Sequence, residues 1–117
     1  HMPQLEMYQA IANSPSTTLA IGINDTETHI TLTDASVLPN APNLLVLGYD
    51  TNYPETCLYT SIAGNAVTLV RGTEGVATSF NSGTNVARIF TAKDYNVVIN
   101  NIKDLNTKQI ALSIALG

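Results

Sequence analysis

No tryptophan occurs in this chain, and aromatic residues make up only 6% of it. A broad stacking platform for sugars or bases therefore has little to be built from. The five Lys and Arg are outnumbered by nine Asp and Glu and form no stripe, leaving a formal net charge of -4. Nucleic-acid binding needs a cationic footprint to meet phosphate charge, so no nucleic-acid partner is expected. A single cysteine, Cys57, rules out a disulfide framework within the chain. Its place in an apolar, strand-like run reads as a buried, inert thiol. Two histidines, one of them at position 1, and no clustered cysteines supply no zinc-ligand set. No apolar run approaches the roughly 18 residues that cross a bilayer, and no charged stretch leads into an apolar one as in a secretory signal. A soluble chain made in a cytoplasm, with no membrane partner, is the expectation.

Charge is scarce too, at 12%, about half the share usual in a soluble domain. Asn and Thr supply the polarity instead, which makes a neutral, hydrogen-bonding surface suited to packing against copies of itself. Hydrophobic residues at 44% are near the globular norm, and 117 residues allow one modest core. His1-Met2 reads as a cloning remnant. Residues 3–16 form an N-terminal segment, 17–91 a β domain and 92–117 a helical oligomerisation segment.

Along the chain, Leu5, Tyr8 and Ile11 mark a weak helical turn ended at Asn13-Ser14-Pro15-Ser16. Leu19, Ile21 and Ile23 alternate, predicting a half-buried strand over 17–23, with His29–Thr33 as its hairpin partner across Asn24-Asp25-Thr26-Glu27. Asp34–Pro42 holds two prolines and reads as a loop. Leu44–Tyr49 is a continuous apolar run, predicting a strand buried on both faces. Glu55–Ile62 and Ala66–Arg71 flank Ala63-Gly64-Asn65, and Gly and Asn tolerate the positive φ that tight hairpins demand. Gly72–Gly83 is glycine-rich and predicts a surface excursion around Phe80, followed by a strand over 85–90. The sum is a mainly β chain, a small β-sandwich or barrel of about six short strands with a C-terminal helix.

The period changes after Phe90. Thr91-Ala92-Lys93-Asp94 has the form of a capping box. Tyr95, Val98, Ile102, Leu105, Gln109, Leu112 and Leu116 then recur at alternating spacings of three and four. That is a short coiled-coil seam with one polar residue, Gln109, able to fix register and chain number. Val97, Ile99, Ile110 and Ile114 lie off the seam, and 110–116 also alternates as a strand does. A helix is expected from about Ala92 to Asn106, with the tail open between helix and strand; a lone helix of that length is marginal in water and must dock on the domain or on sister chains.

The residues offer little chemistry. His29 sits mid-strand without a catalytic neighbour in view. Asp25 and Glu27 lie on a turn but lack the ligand spacing of a calcium loop. Gly72-Thr73-Glu74-Gly75 is not followed by the Lys-Ser/Thr pair of a phosphate loop. Tyr49, Tyr53 and Tyr59 could stack on a sugar, which keeps a host-surface glycan as a minor alternative partner. No enzyme, cofactor or metal site is expected. Gly72 and Gly75 permit positive φ beside Arg71, which is placed to pair with Glu55 or Glu74 or to donate to loop carbonyls, anchoring the long loop.

The order of motifs carries a resemblance. Ser14-Pro15-Ser16-Thr17-Thr18-Leu19, Asp34-Ala35-Ser36-Val37-Leu38-Pro39 and Ala41-Pro42-Asn43-Leu44 lead to Gly48. Glu55-Thr56-Cys57-Leu58-Tyr59, Ile62-Ala63-Gly64-Asn65, Val70-Arg71-Gly72-Thr73-Glu74-Gly75 and Ala87-Arg88-Ile89-Phe90-Thr91 follow. Over most of its length the chain resembles the N-terminal domain of phage head fibre proteins. The hairpin with its Arg71-Gly72 step also recurs in phage tail and baseplate proteins, whereas Leu38–Leu44 favours the head fibre family. The resemblance implies a homotrimeric virion protein on the capsid surface, partnered by the major capsid protein. Leu5, Tyr8 and Ile11 are the candidate docking residues. The alternative it leaves is a tail or baseplate adhesin domain that binds a host-surface glycan or protein.

Overall fold

The computed structural model describes residues 4–116. The expected cloning remnant at His1-Met2 lies outside the described residues, as do Pro3 and Gly117. Two compact units form: Tyr8–Phe90, and the described part of His1–Met7 with Thr91–Gly117. The expected N-terminal segment is thus divided, residues 4–7 going with the helix and the rest with the β unit.

The β unit is one six-stranded antiparallel sheet, curled as a half-barrel. Its strands are β1 (Ser16–Thr18), β2 (His29–Thr31), β3 (Asn43–Leu47), β4 (Glu55–Ala63), β5 (Ala66–Glu74) and β6 (Asn85–Ala87), in the order β1-β6-β3-β4-β5-β2. Of the two forms the strand count allowed, the single curled sheet is the barrel-like one. Its outermost strands approach each other at an antiparallel bridge between Leu19 and Leu32. Every residue of β3 is buried, as its unbroken apolar run predicts for a central strand. Leu45 and Leu47 join Leu19, Ile30, Tyr59, Val67 and Val86 in the core. The β4–β5 hairpin turns on Gly64, at φ 62°, and Asn65. Asn65 Oδ1 also accepts from the Ala35 amide at 2.9 Å, which ties the turn to the short 3-10 helix Ala35–Val37.

Several local expectations are corrected. Leu5–Ile11 forms no helix; a hydrogen-bonded turn follows at Ala12-Asn13, closed by the Ser14 amide on the Ile11 carbonyl at 3.1 Å. The strand expected over 17–23 stops at Thr18. Leu19 and Ile23 make single bridges and are buried, but Ile21 between them is 62% exposed. Backbone bonds from Ala20 to Thr31 and from Thr33 to Thr18 keep a remnant of the expected hairpin, yet β2 pairs along its length with β5. β5 runs on through Gly72 to Glu74, so the loop is shorter than expected, and β6 ends at Ala87, leaving Phe90 67% exposed.

In the second unit, α1 spans Ala92–Leu116 without interruption, so 110–116 is helix. Its start is the anticipated capping box: the Thr91 amide donates to Asp94 Oδ2 at 2.9 Å, and the Asp94 amide donates to Thr91 Oγ1 at 3.2 Å.

Candidate functional site

A helix of 3.6 residues per turn places Tyr95, Val98, Ile102, Leu105, Gln109, Leu112 and Leu116 on one face. All seven are exposed, the apolar ones from 42% at Val98 to 79% at Leu116. The structure therefore gathers the whole seam on a single accessible stripe. Ile110 and Ile114, off the seam, are exposed as well, whereas Ile99 is half-buried and Val97 is buried.

Sequence reasoning missed the other side of this helix. Asn101 and Asp104 are buried although polar. Asn101 makes a two-way amide bond with Leu5, accepting from its N–H at 2.8 Å and donating to its carbonyl at 2.9 Å. Gln4 Nε2 donates to Asp104 Oδ2 at 2.7 Å, and Lys108 pairs with the same oxygen at 2.9 Å. Hydrogen bonds from Gln4 and Lys108 hold the Asp104 carboxyl below its ordinary value. A buried polar residue on a helix flank signals a partner chain segment, but only the fold identifies Gln4–Leu5 as that segment.

The β unit is organised around Arg71. Three residues of β5, Arg71–Thr73, oppose Cys57 alone, because Thr56 pairs with Glu74 and Leu58 with Val70. Gly72 takes φ 67° within this bulge, a conformation that costs glycine least. The bulge turns the Arg71 guanidinium onto Glu55 as a fork, Nε to Oε2 and Nη2 to Oε1, both at 2.9 Å. Its remaining donors reach three carbonyls: Asn24 at 2.7 Å, Glu27 at 2.8 Å and Thr78 at 2.6 Å. All five guanidinium N–H groups are engaged. Glu55 is fully buried and also accepts from the Gly72 and Thr78 amides and from Cys57 Sγ. Burial alone would raise its carboxyl, but the Arg71 fork, the Gly72 amide and the Cys57 thiol outweigh it and hold Glu55 below the ordinary glutamate value. Burial and the Glu55 charge push the Cys57 thiol up, and its side chain is fully buried as expected. Gly75, at φ 80°, is the other permissive position, and a Cβ there would stand 2.8 Å from the Pro54 carbonyl oxygen. Of the two acids within reach by sequence, Glu55 forms the fork with Arg71.

Arg88 was not singled out by sequence and is the second buried cation. It donates through Nε to Asn43 Oδ1 at 2.7 Å and through Nη2 to the Tyr8 carbonyl at 3.1 Å, with the Gln9 carbonyl also in reach. Tyr8 and Gln9 are thereby tied to the β unit by their backbone, while Tyr8 and Ile11 are half-buried and Leu5 is 45% exposed. The candidate docking residues thus do not form one element.

The remaining candidates separate. Tyr59 is fully buried, donating to the Pro39 carbonyl at 2.7 Å, whereas Tyr53 is 78% exposed, so no three-ring platform exists. Asn24 Oδ1 organises the Asp25–Glu27 turn by accepting from the Thr26 and Glu27 amides. His29 is exposed, 3.4 Å from Thr68 Oγ1. Among the described residues there is no group of three or more His, Cys, Asp or Glu able to hold a metal ion. No described helix is long and apolar enough to cross a membrane. An open groove of about 640 Å³ runs past Ser36, Leu38, Asn40, Ser61 and Ile62. A smaller apolar one of about 380 Å³ lies beside Tyr53, Pro54 and Val76. No protein-family model matches the chain, and no curated protein matches it.

Proposed function

We propose that this chain is a non-enzymatic structural protein of a tailed bacteriophage virion, decorating the outside of the capsid as the base of a trimeric head fibre. The observation that carries the assembly half of this reading is the exposed stripe Tyr95–Leu116. Six large apolar side chains on one face of a 25-residue helix are stable in water only when something covers them. Their three-four spacing is that of knobs packing into holes of like helices. Burying each such side chain is worth roughly 1.5–3 kcal/mol, enough to outweigh the cost of bringing chains together. The capsid half rests on the resemblance through Leu38–Leu44 and on a neutral, Asn- and Thr-rich surface. Contact with the major capsid protein is assigned to the face of the β unit that carries Tyr8 and Ile11.

A second reading, a tail or baseplate adhesin for a host-surface glycan, is favoured by the exposed Tyr53 beside its apolar groove. Electron microscopy of virions carrying a gold label on this chain separates the two. Label on the head, together with binding of the purified chain to capsids lacking it, supports decoration. Label at the tail, with binding to a glycan array that is lost in Tyr53→Ala, overturns it.

A further inference from the structure

Beside the seam lies a surface that concerns the same assembly, and the inference rests on the trimer reading. With Tyr95 and Ile102 at a and Val98 and Leu105 at d, Asp94, Asn101 and Lys108 fall at g and Ile99, Asn106 and Ser113 at e. In a parallel bundle the g flank of one helix faces the e flank of the next, where charges usually set partner choice. Here the charges are engaged within the chain: Asp94 in the cap with Thr91, Lys108 with Asp104. The chain's own Gln4–Leu5 occupies the g flank, bonded to Asp104 and Asn101. Because Gln4 lies opposite Asp104 and Leu5 opposite Asn101, the strap runs antiparallel to the helix. Its polar backbone is fixed, yet Leu5 and Met7 remain 45% and 57% exposed. Two residues at extended rise cover about 6.6 Å, roughly four helical residues. With an extended backbone beyond Leu5, Met7 would stand near the height of Val97, within a turn of the level of Ile99.

We propose that the strap Gln4–Met7 is part of the trimer contact, with Leu5 and Met7 packing against the Ile99 flank of the adjacent copy. On this reading Leu5 serves assembly rather than capsid docking, and the buried Asn101 and Asp104 exist to hold the strap in place.

Sedimentation equilibrium of the full chain tests it, comparing wild type with Leu5→Asp/Met7→Asp. Both changes fall on exposed side chains, and far-UV circular dichroism checks that helix content is kept. The expected result is a trimer dissociation midpoint raised at least ten-fold. A trimeric wild type whose midpoint the double variant leaves unchanged overturns the strap contact while sparing the seam. A monomeric wild type overturns the trimer reading itself and the strap contact with it. In Met7→Cys/Ile99→Cys, mild oxidation should give covalent trimers on a non-reducing gel. A trimer that shows only disulfides within single chains contradicts the proposed neighbour.

Discussion

Arg71→Ala is the sharpest test of how the β unit holds together. The substitution strands Glu55, whose side chain is fully buried and whose fork partner is itself only 7% exposed. Breaking a buried pair by removing one partner typically costs 3–5 kcal/mol, because the remaining charge is left uncompensated. The Asn24, Glu27 and Thr78 carbonyls also lose a charged donor, but those near the surface regain water, so they add little. About 4 kcal/mol is a large part of the 5–15 kcal/mol that holds a typical domain. At roughly 4 °C per kcal/mol for a chain of this length, the melting midpoint should fall by about 15 °C. Urea titration at pH 7 measures the loss, and Glu55→Gln on the Arg71→Ala background should recover part of it by removing the stranded charge. The gap between wild type and Arg71→Ala should narrow as pH falls through the raised value of Glu55 in the variant, above the ordinary glutamate range, towards the lowered value it has in the wild type. In the variant, burial raises Glu55, and its protonated form no longer needs the guanidinium. A loss below about 1 kcal/mol, the level of an exposed ion pair, would refute the hub.

Three further outcomes follow from the same geometry. Glu55, Asp104 and Asp34 all have carboxyls held below their ordinary values. Each therefore contributes stability that is fully present above the ordinary value and is lost as pH falls through the lowered one. Thermal melting should be flat near neutrality and drop below the ordinary glutamate value of 4.5; a midpoint unchanged down to pH 3 speaks against it. Cys57, fully buried with a raised thiol, should resist Ellman's reagent in the native protein and react fully in guanidinium; rapid native labelling contradicts its burial. Gly75→Ala should destabilise by at least 1 kcal/mol in a urea melt, since it combines positive φ with a Cβ 2.8 Å from the Pro54 carbonyl oxygen; a neutral effect contradicts that close approach.

The elements legible in the sequence were those whose signal is local. Leu44–Leu47 declared a buried strand by its unbroken apolar run, Gly64-Asn65 the hairpin, and Thr91 with Asp94 the helix start. What was not legible depends on distant partners. Ile21 shares the alternation of Leu19 and Ile23 but faces out, because the strand ends at Thr18 and each neighbour is held by a single bridge, to Leu32 and to Phe80. β1 finds β6 and β2 finds β5 across long stretches of chain, a pairing no local pattern encodes. At the site, the exposed apolar stripe of the helix was readable from its three-four spacing, and Arg71 from the glycines beside it. Arg88, Asn101 and Asp104 were not, since each is a polar residue whose burial is compensated by backbone or side chains far away in sequence.

Cover of the Tyr95–Leu116 stripe by three chains sets the mass of the particle in solution, which multi-angle light scattering of the purified chain at micromolar concentration reads. The wild type should show a mass three times that of one chain, and Ile102→Asp/Leu105→Asp a single-chain mass with its β unit still folded. A wild-type chain that runs as a strict monomer, or a variant whose mass does not change, contradicts it.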